Sequence, residues 1–318
     1  MVRVLITGGA GFIGYHLTKK LSAENFEVTI YDNFSDYYSR DLKEKNIKEL
    51  EVEEGVESIE GCVLDREKLT EVLSKNFDYV FHLAAQPGIK YSTQYPILSL
   101  KTNIEGTMNV LSVSRENQIK RVIVASSSSV FGNSKYIPID ENHPRNPLSF
   151  YGVSKFAAEK IVDVCIHLYP EHEISVIRPF TVVGARQRPD MALNIFVTNA
   201  FEEKEINIYG TGEQTRDWTH VENVVDAFYL TAIKTKAKNE FFNIGSGKRT
   251  SVNKVLDLVS KKADKKLKIN YKEFDKAEVK DTLADITKAK KLLNYNPKKT
   301  LEEAIEEFIL DYKERSQK

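Results

Sequence analysis

Cysteine is scarce in this chain. Its two thiols, Cys62 and Cys165, stand far apart in apolar settings, with no CxxC pair and no clustered histidines. That spacing argues against a disulfide framework and against a metal centre, and it points to structural thiols in a reducing, cytoplasmic compartment. Long apolar runs are also missing: none reaches the roughly 18 residues that a membrane span needs. The start, Met1-Val2-Arg3-Val4-Leu5-Ile6, leads into a structural motif rather than a cleavable leader, so neither export nor membrane insertion is expected. Net charge is absent as well, with 46 basic residues against 46 acidic ones. The balance removes the general electrostatic case for a nucleic-acid partner but leaves room for a local anion site. No internal repeat occurs, and the lysine runs between Lys261 and Lys291 are interspersed with acidic residues, as on a solvated surface.

What is present is ordinary globular composition, 41% hydrophobic and 29% charged over 318 residues, which excludes extensive disorder and favours two domains. Val2 to Thr7 reads as a β-branched strand; Ile13, Leu17 and Leu21 begin an amphipathic helix; Val28 to Tyr31 reads as a second strand. Further apolar strands at Tyr79–Leu83, Arg121–Ala125 and Ile174–Arg178 alternate with helical patterns, the rhythm of a parallel sheet covered on both faces. The fold class is therefore α/β: a Rossmann-type doubly wound parallel sheet with a smaller, discontinuous α/β substrate domain. Residues 1–178 and 222–245 are assigned to the first domain, and 179–221 and 246–318 to the second. A helix from about Ala192 to Glu203, a strand Ile206–Tyr209 and an apolar stripe at Leu301, Ala304, Ile305, Phe308 and Ile309 supply the second lobe.

Gly8-Gly-Ala-Gly11-Phe12-Ile13-Gly14 lies between the first strand and the first helix, the context that a dinucleotide motif requires. Gly8 makes the tight turn, Gly11 admits a pyrophosphate, Gly14 allows close helix packing, and the helix start at Phe12 and Ile13 offers free N–H groups to phosphate charge. Asp32 ends the second strand, where a carboxylate accepts both ribose hydroxyls and repels a 2′-phosphate; the expected cofactor is NAD, with Asn33 as a second ribose contact. His82-Leu83-Ala84-Ala85 ends another strand beside the expected pyrophosphate and nicotinamide. His82 itself reads as strand-end packing rather than as a proton donor.

Ser126 to Ser129 follow a strand end, and Tyr151 and Lys155 stand four apart at the start of a helix. One helix face then presents a phenol and an ammonium that favours its phenolate, while a serine hydroxyl steadies a substrate oxygen. Such a group takes a hydroxyl proton as hydride leaves the same carbon for NAD.

TGGAGFIG at 7–14, HLAA at 82–85, SSSSVFG at 126–132, YGVSK at 151–155 and TRDWTHV at 215–221 together resemble the extended short-chain dehydrogenase/reductase family of nucleotide-sugar epimerases and dehydratases. The resemblance covers essentially the whole chain. It implies that Ser127 assists Tyr151, although the chemistry leaves Ser126 and Ser128 open. It also implies Asn103 among the cofactor contacts and Lys90 among the substrate contacts. Dehydratases of the family usually carry an Asp-Glu pair before this turn, and decarboxylases a Glu; here Ser128-Ser129-Val130-Phe131 stands instead, which favours a 4-epimerase.

The loop Arg186-Gln-Arg188-Pro-Asp190-Met191-Ala offers an arginine pair to a carboxylate or phosphate, or else a salt-bridged loop. It resembles the corresponding segment of UDP-glucuronate 4-epimerases, which implies Arg188 near the sugar carboxylate, Thr181 near the cleft, and Ser127, Ser128 and Ser129 around the sugar. Arg216 is the candidate for the nucleotide diphosphate; Trp218 and Phe196 read as packing. The leading expectation is interconversion of UDP-glucuronate and UDP-galacturonate; the resemblance also implies a homodimer joined through the helices around Asn103–Arg115 and Tyr151–His167, whose apolar faces would equally suit packing inside the monomer. UDP-glucose/UDP-galactose epimerisation, a simple oxidoreductase and a non-enzymatic NAD-responsive binding protein are the alternatives. Departures from the family pattern stand at Cys62, at Phe131, at Val183-Gly-Ala185 and at Asp275-Lys276 with Glu278, where some relatives supply an arginine.

Overall fold

The computed structural model of the chain describes residues 1–273 and 279–316. The first lobe is built on a seven-stranded, wholly parallel sheet. Its strands are β1 (Val2–Thr7), β2 (Phe26–Asp32), β3 (Val56–Glu60), β4 (Tyr79–His82), β5 (Arg121–Ala125), β6 (Glu173–Pro179) and β7 (Phe241–Ile244). Their spatial order is β7-β6-β5-β4-β1-β2-β3. Alternation along each strand feeds two separate cores. In β1, Val4 and Ile6 enter one and Leu5 the other; in β4, Phe81 enters the first and Val80 the second. Both faces are covered, which is why the strands read as continuous apolar runs.

The chain winds from β1 outward through β2 and β3 on one side, then returns through β4 to β7 on the other. The direction of winding reverses between β1 and β4. At that point the helices on opposite faces part and leave a crevice beyond the carboxyl ends of the strands.

The second lobe has its own core, formed by Leu193, Phe196, Val197, Trp218, Val255, Leu256, Ile305 and Phe308 with their neighbours. It combines the helices Ala192–Phe201, Val252–Ala263 and Leu301–Ser316 with a parallel pair of strands, Glu205–Tyr209 and Lys268–Lys272. The last helix starts on a capping box: Glu303 accepts the Thr300 N–H at 2.8 Å, and the Thr300 hydroxyl accepts the Glu303 N–H at 3.2 Å. Trp218 and Phe196 are buried here, as packing side chains.

The lobes join directly after β6, where Thr181–Val183 pairs with Trp218–His220. Asp217 fixes the junction. Its buried carboxylate accepts the Ser246 N–H and hydroxyl at 2.7 and 2.6 Å and the Gly247 and Ala284 N–H groups at 3.2 Å. One part of the expected second domain packs elsewhere: Ala284, Ile286, Ala289, Leu293 and Tyr295 belong to the first lobe's core. The short helix Thr287–Leu293 packs against β7, a long-range contact that no local periodicity announces. Among the described residues, no helix is long and apolar enough to cross a membrane.

Candidate active site

The crevice holds a cavity of about 250 Å³. At one end β1 runs into Gly8, whose φ of +76° turns the chain; a Cβ there would lie 2.7 Å from the Ala84 nitrogen. Gly14 is required for a different reason, since its Cβ would lie 2.4 Å from the Gly8 carbonyl oxygen. The helix Phe12–Ala23 therefore starts against the strand ends, with Gly11 at its N-cap and no side-chain cap hydrogen bond there. Gly8, Gly11, Phe12, Ile13 and Gly14 all line the cavity, and the exposed helix dipole and N–H groups suit a pyrophosphate.

Asp32 and Asn33 line the same cavity. The Asp32 carboxylate accepts the Ala10 N–H at 3.2 Å and the Phe34 N–H at 2.8 Å, one on each oxygen. Each oxygen keeps further acceptor capacity for a ribose hydroxyl. Burial pushes this carboxyl above its ordinary range, and the Lys43 ammonium and the two N–H bonds act against that push. Lys43 was not foreseen in the sequence: it is buried, lines the cavity, and donates to the Ser35 carbonyl at 2.9 Å and hydroxyl at 3.1 Å. The Asn33 amide faces the Cys62 sulfur at 3.9 Å.

Leu83, Ala84 and Ala85 form the wall at the end of β4. His82 behind them is structural. Its ring nitrogens bond Thr7 at 2.8 Å and Thr107 at 3.0 Å, and burial, reinforced by the Lys155 charge, pushes its pKa down to about 3. Asn103 lies behind the wall rather than in it. It accepts the Gln86 N–H at 2.7 Å and donates to the Gln86 carbonyl at 3.1 Å and the Ser154 hydroxyl at 2.8 Å. Gln86 does line the cavity, so Asn103 shapes that wall through it.

The far end of the cavity carries the phenol and the ammonium. Tyr151 and Lys155 project from the helix Phe150–Leu168, whose N-cap Ser149 accepts the Gly152 N–H at 3.0 Å. Burial raises the Tyr151 phenol, while its hydrogen bond with Ser127 and the charge of Arg188 lower it. Lys155 donates to the Ala125 carbonyl at 2.9 Å, and burial pulls its pKa down to about 8 against the opposing pull of Glu159. Of the four serines, Ser126 is already committed to Glu159 at 2.6 Å, and Ser127 is the one whose hydroxyl acts to lower the phenol.

Ser127 lines neither this cavity nor a second one of about 110 Å³, but it donates at 3.1 Å to the Ser129 hydroxyl, which lines the second. Ser128, Ser129, Thr181 and Arg216 line the second cavity, together with Ile89 and Leu148. Arg216 reaches it while bonded to the carbonyls of Thr215, Lys280 and Val279 at 3.0, 2.9 and 2.6 Å. Lys90 lines neither cavity; its ammonium lies 4.1 Å from the centre of the Tyr209 ring. Asp275, Lys276 and Glu278 lie outside the described residues.

The arginine pair of the loop divides. Arg186 clamps the lobes together, donating to Asn46 at 3.0 Å and Glu49 at 2.6 Å and pairing with Asp311 at 3.1 Å. Arg188 alone reaches the cavity, where Asp190 accepts its Nε and Nη2 protons at 2.9 and 3.1 Å and the Tyr37 hydroxyl at 2.8 Å. The cavity thus runs from the Asp32 carboxylate to a phenol, an ammonium and an arginine, and its glycine cradle fits a dinucleotide.

The GDP-mannose 4,6-dehydratase family model matches residues 5–308. Among curated proteins, a UDP-glucuronate 4-epimerase of Thermodesulfobacterium geofontis is 34% identical over 307 residues, 96% of this chain and 94% of that relative. Among solved structures, the UDP-glucuronic acid 4-epimerase of Bacillus cereus, with UDP-glucuronic acid and NAD bound, superposes with a TM-score of 0.94. It is 32% identical and covers 99% of this chain and 100% of its own. The UDP-glucose 4-epimerase of Thermotoga maritima, with UDP-glucose bound, reaches a TM-score of 0.91 at 31% identity, again over 99% and 100% of the two chains.

Proposed function

Because the chain belongs to the extended short-chain dehydrogenase/reductase family of NAD-dependent nucleotide-sugar epimerases and dehydratases, we propose that it interconverts UDP-glucuronate and UDP-galacturonate. The coarser activity, 4-epimerisation of a nucleotide sugar with NAD as cofactor, is the ground on which that substrate reading stands. NAD held in the glycine cradle would supply a reversible hydride acceptor for sugar C4. The chain's residues handle the proton and the sugar. Tyr151 takes the C4 hydroxyl proton, the Lys155 ammonium favours its phenolate, and Ser127 holds the C4 oxygen. The 4-keto sugar then rotates, and Tyr151 returns the proton as the hydroxyl re-forms with the opposite configuration.

The observation that carries the uronate reading is Arg188, a cation in the cavity whose charge reaches Tyr151. The residues that follow the β5 strand end, Ser127, Ser128 and Ser129, are hydroxyls and not carboxylates. A carboxylate at C6 becomes a β-keto acid once C4 is oxidised, so holding it still restrains the loss of CO₂. Purified protein incubated with each UDP-sugar, followed by chromatographic separation of epimers and pentose products, tests the reading; turnover of UDP-glucose without UDP-glucuronate overturns it. Asp190 favours that second substrate, because it already neutralises Arg188.

Two further outcomes are expected. The Lys155 ammonium is present below its pKa of about 8 and lost as pH rises through it, so kcat falls on that alkaline limb. A kcat profile that stays flat up to the ordinary lysine range would remove the ammonium from the rate. The second concerns assembly. Phe150, Val153, Val164 and Leu168 are exposed on the helix that carries Tyr151, beside exposed Ile97 and Met108. This apolar face is the proposed homodimer surface. Sedimentation should give twice the chain mass, and Val164→Glu should give monomers; a wild-type monomer at all concentrations refutes the dimer.

A further inference from the structure

We propose that Glu159 is a positioning residue of the reactive centre: through Ser126 its buried carboxylate sets the strand end that carries Ser127 against the helix that carries Tyr151. The epimerase reading enters only through the rate that is measured.

Tyr151, Lys155 and Glu159 follow one another at four-residue spacing on the helix Phe150–Leu168, so all three lie along one face. Glu159 is 1% exposed, and a carboxylate so deeply placed persists only when its lone pairs are taken up. Arg178 on β6 provides a two-pronged contact, Nε to Oε1 and Nη2 to Oε2, both at 2.8 Å. Arg145, from the loop before the helix, approaches Oε2 at 3.5 Å. Glu141 in the same loop gives its carbonyl to Arg178 at 3.4 Å. These groups would satisfy a purely structural ion pair.

The Ser126 bond has a different consequence. Its hydroxyl donates to Oε1 at 2.6 Å from a residue that lines the cofactor cavity. Immediately before it, the Ala125 carbonyl accepts the Lys155 ammonium at 2.9 Å; immediately after it comes Ser127, whose hydroxyl lies close enough to Tyr151 to lower its phenol. Three consecutive residues at the end of β5, Ala125 to Ser127, are therefore set in turn against Lys155, Glu159 and Tyr151. Removing the middle match lets the strand end shift along the helix, and the phenol and Ser127 then lose their common aim at one substrate oxygen. The run of four serines acquires a division of labour: Ser126 anchors, Ser127 meets the phenol, and Ser128 and Ser129 face the second cavity.

Misplacing reacting groups by about an ångström costs on the order of 10²-fold in rate, and the loss of one anchor should cost less. Ser126→Ala keeps the Glu159–Arg178 pair. It should lower kcat about 10-fold, leave KM within about twofold, and retain bound NAD and thermal stability. Ser126→Thr restores the donor and should restore most of kcat. Glu159→Asp keeps the charge but shortens the reach, and should lower kcat to a similar extent. The double variant should fall little below the worse single one, because both remove the same link.

The rate is read with whichever UDP-sugar the wild type turns over, so failure of the wild type on every sugar marks failure of the functional reading before any variant is compared. Wild-type kcat in Ser126→Ala overturns the proposal, as does a loss that only tracks the loss of folded, NAD-bound protein, or a Thr variant no better than Ala. If Glu159→Asp does not fold, the two Ser126 variants decide alone.

Discussion

Tyr151→Phe should lower kcat for epimerisation by about 10³-fold while leaving the fold and NAD binding in place, since acid–base catalysis by one positioned side chain contributes about 10²- to 10⁴-fold. The substitution deletes a single oxygen. The aromatic ring that lines the cavity remains, the helix keeps its Ser149 cap, and the Tyr151 N–H keeps its 3.1 Å bond to Ser92. The lost partner is the Ser127 hydroxyl, which retains its 3.1 Å bond to Ser129, so no buried donor is stranded. Stability should thus change little, and the deficit should fall on kcat rather than on KM. Chromatographic assay of the epimers beside a thermal melt separates the two effects. A variant with wild-type kcat would remove Tyr151 from proton transfer; a wild type inactive on all nucleotide sugars would instead favour a binding protein that responds to NAD.

The parts of the site that could be read in the sequence are those whose chemistry is local. Gly8, Gly11 and Gly14 stand within one seven-residue segment, and Tyr151 and Lys155 about one helical turn apart, so spacing alone brings them together. The resemblance selected Ser127, but setting Ser126 aside on chemical grounds required the partner 33 positions away, because only the fold shows that Glu159 has already taken the Ser126 hydroxyl. Arg186 and Arg188 look equivalent two residues apart. A φ of +66° at Arg186 turns its side chain toward Asn46 and Glu49 on the first lobe, and Arg188 is left to the cavity. Asn103 and Lys90 were legible only as parts of a family pattern, and the fold places one behind the wall and the other against Tyr209. Two signals for the buried network were nonetheless present: Glu159 within a buried helical stripe and Arg178 inside the apolar run of β6 are opposite charges where burial demands partners.

Arg188→Gln should lower kcat/KM for UDP-glucuronate about 10²-fold and change that for UDP-glucose by less than about threefold. The magnitude follows from a charge-assisted contact, about 1.5–3 kcal/mol, at about 1.4 kcal/mol per tenfold. The guanidinium is suited to this task because its pair with Asp190 uses Nε and Nη2 and leaves Nη1 outside the pair. Substitution also changes Asp190. Its carboxylate keeps the Tyr37 hydroxyl at 2.8 Å but loses its cation, and it then repels a sugar carboxylate while remaining indifferent to a neutral hexose. Adding Asp190→Asn should therefore recover part of the UDP-glucuronate activity, and the part not recovered measures the attraction that Arg188 supplies. A freer carboxylate on the 4-keto sugar should also raise the share of decarboxylated pentose among the products. Equal losses on both sugars would assign Arg188 to the loop or the nucleotide instead, and an undiminished rate with UDP-glucuronate would leave the acid group to Ser128, Ser129 and Thr181 in the second cavity.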